Sequence, residues 1–241
     1  MKETTSTQEN FFEGNNQQES KRLDRRRFLK VAGAGAAGIA TLGIISCSKD
    51  DDHSGPDMGG EGLYFGSGDI AILNYAYALE QLEAAFYIEL ANKPYGGITN
   101  WEKTLFTDIR DHEIAHREFF KAALGESAIA NLEFNFSGID FSNRDSVLMT
   151  AKTFEDLGVS AYNGAGWLIK NEAYLLLAGK IVSVEARHAA LVRDLIDNGT
   201  FANSEVVDDA GLDVANSPSM VLEAASPFIK SKIDVRDLPT Y

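Results

Sequence analysis

The sequence predicts an all-α fold: a bundle of four helices with one long crossover connection and an irregular C-terminal extension. Three observations lead there. Glu-x-x-His occurs twice, as Glu113 with His116 and Glu185 with His188, in a chain that has only 4 His. Each copy lies one helix downstream of a lone Glu, Glu80 or Glu155, and seven positions after each of these comes a tyrosine, Tyr87 or Tyr162. The flanks of the two copies also align. Phe106, Ile109, Phe120 and Ala123 fall on Ala178, Ile181, Val192 and Leu195. The spacings alternate between three and four, which is one stripe of an amphipathic helix facing a core. An internal duplication of a helix pair accounts for these matches together.

Taken in order, residues 1–46 read as an export signal. Asp24-Arg25-Arg26-Arg27-Phe28-Leu29-Lys30 resembles a twin-arginine signal, and the apolar stretch Val31 to Ile45 behind it is too short for a permanent membrane span. Ile44-Ile45-Ser46-Cys47 fits a lipoprotein cleavage box, and Cys47 is the chain's single cysteine, so it reads as the lipidation site. Ser48-Lys49-Asp50-Asp51-Asp52 resembles the acidic signals that send some lipoproteins to the outer surface. Residues 47–66, rich in Gly and Asp and without hydrophobic period, read as a flexible tether, with His53 an ordinary solvated residue.

The bundle is expected over residues 67–200. Asp69 is placed to N-cap a first helix that runs to about Asn92, ahead of Pro94 and Gly96-Gly97. Thr99 and Glu102 form a capping-box pattern for the second helix, which Gly125 closes. Residues 126–141, with Phe134, Phe136, Ile139 and Phe141, read as an extended crossover packing aromatics on the bundle. The third helix starts near Asn143 and ends near Tyr162–Ala165, with Gly164 to Gly166 and Trp167 expected to break it after Tyr162. The fourth runs from about Glu172 to Asp197, ended by Gly199. Residues 201–241, with Pro218, Pro227 and Pro239, form the C-terminal extension, with one short helix near Met220–Ala225 and no recognisable chemistry.

Helical phase gives the repeated motifs their meaning. Residues three apart share a face, so each Glu-x-x-His presents a carboxylate and an imidazole to one point. Glu80 lies in line with Leu73, Tyr77, Ala84 and Tyr87, and Glu155 with Leu148, Ala151 and Tyr162. Four carboxylates aimed into one core would repel each other and lose hydration, unless cations neutralise them. Two divalent ions do so, with a neutral imidazole completing each coordination sphere. Carboxylate and imidazole donors suit iron, with manganese the alternative, better than the thiolate-rich sites of structural zinc. Glu83, one turn from Glu80, is a rival ligand; the spacing to Tyr87, mirrored in the second half, favours Glu80. His112 lies about 100° round the helix from Glu113 and reads as a surface residue.

The residues Leu79-Glu80-Gln81-Leu82-Glu83-Ala84-Ala85-Phe86-Tyr87, Phe154-Glu155-Asp156-Leu157-Gly158-Val159-Ser160-Ala161-Tyr162 and Val184-Glu185-Ala186-Arg187-His188 carry a resemblance. Over about residues 66–200 the chain resembles the ferritin-like superfamily, and within it the exported ferritin-like domain proteins related to desiccation-related proteins. That resemblance implies two bound iron ions. Glu113 and Glu185 would bridge them, Glu80 with His116 would complete one sphere, and Glu155 with His188 the other. Tyr87 and Tyr162 match tyrosines that hydrogen-bond ligand carboxylates in such sites. It implies no single reaction, because the superfamily spans oxidases, peroxidases and storage proteins.

The formal net charge of −14 argues against nucleic acid as a partner and against electrostatic docking to anionic lipid. Attachment to the cell envelope, at the periplasmic face or the outer surface, is therefore expected through the lipid on Cys47. No fifth helix of the kind that assembles storage cages is evident, and self-association into a homo-oligomer stays open. Two functions fit: a redox enzyme acting on dioxygen or peroxide, or a non-catalytic metal-binding or stress-protective lipoprotein.

Overall fold

The computed structural model describes residues 62–241. The expected export signal, Cys47 and most of the expected tether lie outside the described residues. Four long helices dominate the chain: α1 (Gly68–Asn92), α2 (Asn100–Leu124), α3 (Arg144–Gly166) and α4 (Glu172–Ile196). They are followed by a short helix, α5 (Pro218–Ala225). No helix among the described residues is long and apolar enough to cross a membrane.

Local chemistry sets the helix ends. The Thr99 hydroxyl accepts from the Glu102 amide, and the Glu102 carboxylate accepts from the Thr99 amide, which closes the capping box of α2. Asn143 and Asn171 cap α3 and α4 through their side-chain oxygens. Gly125 ends α2 at a φ of 55°, in the left-handed region that suits glycine.

Asp69 does something other than capping its own helix. Residue 67 is the cap of α1, without a side-chain bond, and the Asp69 carboxylate accepts from the amides of Lys170 and Asn171 at 2.9 and 2.8 Å. It ties the start of α1 to the entry of α4.

α3 ends at Gly166, one residue beyond the expected Tyr162–Ala165, and Gly164 does not break it. Gly164 is where the extension crosses the helix: a Cβ there would sit 1.8 Å from the Asn216 carbonyl oxygen, while the Asn216 amide donates to Ser160 O at 3.0 Å. The glycine permits close approach of two backbones, a role that helical weakness in the sequence does not distinguish from a helix end.

α1 is the central helix. Every residue from Ala71 to Ala84 is buried, so it lacks the one-sided pattern of a surface helix. The crossover, a 3-10 turn at Gly125–Ser127 followed by extended chain, covers its far side. Asn74 accepts from the Ile129 amide and donates to the carbonyls of Phe65 and Ser127, and Gln81 accepts from the Leu132 amide. These side chains supply partners for crossover backbone groups that would otherwise be buried without any. Phe136 and Phe141 pack on Phe86, as the sequence leads one to expect.

The extension is fastened at several points. Buried Arg193 donates twice to Asp156 and also to Asn203 and Glu205, clamping residues 203–205 against α3 and α4. Further on, β2 (Ile233–Asp234) pairs in parallel with β1 (Leu63–Tyr64). Phe65 beside it is fully buried. The last residues assigned to the tether, 62–66, thus belong to the packed domain. Their strand partner lies some 170 positions away, and a two-residue strand leaves no periodic trace.

Candidate metal centre

Each of the four long helices brings a carboxylate to the middle of the bundle, and α2 and α4 add an imidazole. Glu80, Glu113, Glu155 and Glu185 are all 0% exposed. Their neighbours in phase, including Tyr77, Ala84, Leu148 and Ala151, are buried with them, so the amphipathic stripe delivers the acids inward. Two overlapping groups form: Glu80, Glu113, His116 and Glu185; and Glu113, Glu155, Glu185 and His188. Within each group, one donor atom per residue lies within 4.8 Å of every other. Glu113 and Glu185 belong to both.

The imidazoles face the carboxylates through Nδ1. His116 Nδ1 lies 2.7 Å from Glu185, 3.4 Å from Glu80 and 3.7 Å from Glu113. His188 Nδ1 lies 2.8 Å from Glu113, 3.5 Å from Glu155 and 3.6 Å from Glu185. Each nitrogen thus meets three carboxylates at once. One N–H satisfies at most one of them well, and a cation placed among the four donors satisfies all.

The tyrosines complete the shell crosswise. Tyr87 of α1 donates to Glu155 of α3 at 2.5 Å, and Tyr162 of α3 donates to Glu80 of α1. Each holds one oxygen of a terminal carboxylate and leaves the other, Glu155 Oε2 or Glu80 Oε2, turned toward the cluster without a hydrogen bond.

The electrostatics are those of a site waiting for positive charge. Burial pushes the Glu155 carboxyl up to about 8, against the pull of His188. Burial and then the Glu185 charge raise Glu80 well above its ordinary range. Burial would raise Glu113 too, but its bonds to His116 and His188 outweigh that and bring it down to about 2. Burial opposes the imidazolium forms, yet the surrounding carboxylates override it: His188 rises to about 12 and His116 is raised as well. The carboxylates thus favour positive charge at both imidazoles.

The fit of a metal pair rests on stranded donors. Both oxygens of Glu113 and of Glu185, Oε2 of Glu80 and of Glu155, and Nδ1 of both histidines are buried without a partner in good hydrogen-bond geometry; the closest approaches are the imidazole–carboxylate ion pairs, each nitrogen shared among three carboxylates. Buried polar atoms rarely go unpaired, and here they converge. The chemistry of the donor set, carboxylates with one imidazole in each group and no thiolate, is of the kind that suits iron or manganese.

Two residues near the cluster take parts that spacing alone does not show. Glu83 is 2% exposed with Oε2 unpartnered, and burial followed by repulsion from Glu113 raises its carboxyl far above its ordinary range. It is a fifth buried acid beside the cluster, outside both donor groups. Gly158 makes room for it, since a Cβ there would lie 2.7 Å from Glu83 Oε1. His112 is exposed, as expected, but its Nδ1 lies 2.9 Å from His188 Nε2. The largest cavity among those described, 340 Å³ around Arg193 and Phe201, contains none of the six donor residues. One of 320 Å³ between Trp167 and Leu175 reaches Tyr162.

Comparison with known proteins agrees with this architecture. No curated protein matches the chain. A family model described as a ferritin-like domain matches residues 68–198, from the first residue of α1 to just past the end of α4. The chain belongs to the ferritin-like domain family, with a buried carboxylate and histidine cluster able to bind metal at the centre of its bundle.

Proposed function

We propose that this protein binds two iron ions, or two of manganese, and uses them in a redox reaction with dioxygen or peroxide while anchored to the cell envelope by lipid on Cys47. The observation that carries this reading is the convergence of stranded donors from Glu80, Glu113, His116, Glu155, Glu185 and His188. Glu113 and Glu185, common to both donor groups, would be shared by the two ions, with Glu80 and His116 holding one and Glu155 and His188 the other. When bound, the ions supply Lewis acidity and one-electron chemistry toward a small oxidant.

The chain's own part is to hold, orient and desolvate. Tyr87 and Tyr162 each hold one oxygen of a terminal carboxylate, which aims the other at the centre. Buried Phe86, Phe106 and Phe154 pack around Tyr87 and give that part of the bundle an apolar lining. His116, with a side chain 13% exposed against 0% for its carboxylate partners, marks the side nearer solvent. Glu83 lies in the core beside the cluster, its carboxyl raised well above its ordinary range by burial and then by repulsion from Glu113.

Metal analysis of the purified protein is expected to give two iron or manganese ions per chain. The anaerobically reduced protein should then reoxidise rapidly with dioxygen or peroxide. Tyr87→Phe and Tyr162→Phe should change that rate while leaving metal content nearly intact. Two bound ions with slow reoxidation, indifferent to both tyrosines, would establish a binding or protective role instead. For location, Cys47→Ser should leave the protein exported but free of the membrane fraction, because the acidic domain has no other attraction to lipid.

A further inference from the structure

We propose that His112 is a positioning residue for the metal ion held by His188, and that it makes the two metal positions inequivalent. The inference rests on the dimetal reading above and concerns a residue outside the donor set.

The His112 and His188 ring planes are 8° apart with centroids separated by 5.2 Å. That separation is close to the 2.9 Å between His112 Nδ1 and His188 Nε2 plus the two ring radii. The rings therefore lie edge to edge in one plane, the arrangement of an in-line hydrogen bond, and are not stacked face to face. His188 Nδ1 is the nitrogen that faces Glu113, Glu155 and Glu185. To bind metal there, His188 must leave Nδ1 bare and carry its proton on Nε2. A hydrogen-bond acceptor at Nε2 selects that tautomer and fixes the ring angle. His112 Nδ1 is placed to be that acceptor, with the proton of His112 itself on Nε2.

The duplication contains its own control. Laying the second Glu-x-x-His on the first puts Val184 at the position of His112. Valine has no side-chain acceptor, so the device exists in one half only. His188 gains a partner for Nε2, and His116 gains none from the equivalent position.

Titrating the metal-free full-length chain with manganese(II) alone tests this by calorimetry. The wild-type protein should bind two ions. His112→Ala and His112→Phe should weaken one of them by about 10–100-fold, the usual effect of removing the partner of a metal-bound imidazole, and leave the other unchanged. His112→Asn, whose Oδ1 takes the place of Nδ1, should restore the weakened ion. In a Glu80→Ala background, which retains the His188 position, His112→Ala should still weaken binding; in a Glu155→Ala background, which retains the His116 position, it should not. His112 is exposed, so these variants should fold, and thermal melting of the metal-free forms checks that they do. Two unchanged ions, equal weakening of both, or no rescue by Asn would each overturn the role of His112 while leaving the dimetal reading intact. A wild-type chain that binds no manganese and no iron would overturn both.

Discussion

The two helix pairs, α1–α2 and α3–α4, present the same motif, yet they are not interchangeable. Each contributes a lone Glu, a tyrosine two turns on, and a Glu-x-x-His, and these equivalent residues meet at one centre. The halves differ at two places beside it. The first pair has Glu83 where the second has Gly158, each three residues after its lone Glu, and His112 where the second has Val184. Both differences are felt across the interface. Glu83 fills the space that Gly158 leaves, and His112 reaches the imidazole of the other half. When equivalent positions of a duplicated unit face each other at close range, two large acidic side chains cannot both occupy the gap. One half must give way. Here duplication accounts for the donor set, and divergence between the halves shapes what surrounds it.

The strongest break of this comparison is at the shared donors. Glu113→Ala or Glu185→Ala removes a residue that both positions use, so metal content should fall from two ions toward none, as read by elemental analysis. Glu80→Ala and Glu155→Ala should each cost one position and spare the other. Glu83→Ala, outside both donor groups, should lower metal content least. Equal content in Glu113→Ala, Glu185→Ala and Glu83→Ala would sink the assignment.

Gly158→Ala sharpens the comparison where the halves touch. Its Cβ would press on Glu83 Oε1, which is buried and cannot swing into solvent. Overpacking of this kind costs about 1–3 kcal/mol, against the roughly 1 kcal/mol that alanine gains over glycine within a helix, which leaves a net cost of up to about 2 kcal/mol. Denaturant unfolding should show a net loss in Gly158→Ala. The same substitution in a Glu83→Ala background should be neutral or stabilising, and a loss of equal size in both backgrounds would remove Glu83 from the explanation.

A smaller effect separates the metal-free protein from the loaded one. Glu155 lies at about 8 when folded against an ordinary 4.5, and His188 at about 12 against 6.5. Both folded values are raised, so the folded state holds protons that the unfolded chain has released. For Glu155 that contribution is complete below 4.5 and is lost as pH rises to about 8; for His188 the loss begins above 6.5. Glu80 and Glu83 are shifted in the same direction. The metal-free protein should therefore melt at a lower temperature near about pH 9 than near about pH 6. Metal takes the place of those protons and should reverse the trend, because binding strengthens as protons leave the donors. A metal-free melting temperature that climbs between those two conditions would contradict the raised values.

Much of this molecule follows from helical period and local chemistry. The C-terminal end of α1 and both ends of α2, α3 and α4 are legible to within a residue or two from caps, glycines and prolines, since those signals act within a few residues. The inward aim of Glu80, Glu113, Glu155 and Glu185 is legible because a residue three or four positions from a buried one lies on the same face. A period says which way a side chain points and nothing about what stands opposite. Only the packed bundle decides that Tyr87 serves Glu155 and Tyr162 serves Glu80, each across to the other half. The same limit explains Asp69, which bonds amides about a hundred positions away, and Gly164, whose lack of a side chain admits the Asn216 carbonyl. It explains His112 as well: on its own helix it points away from the donors, and it reaches the site only because α4 brings His188 alongside.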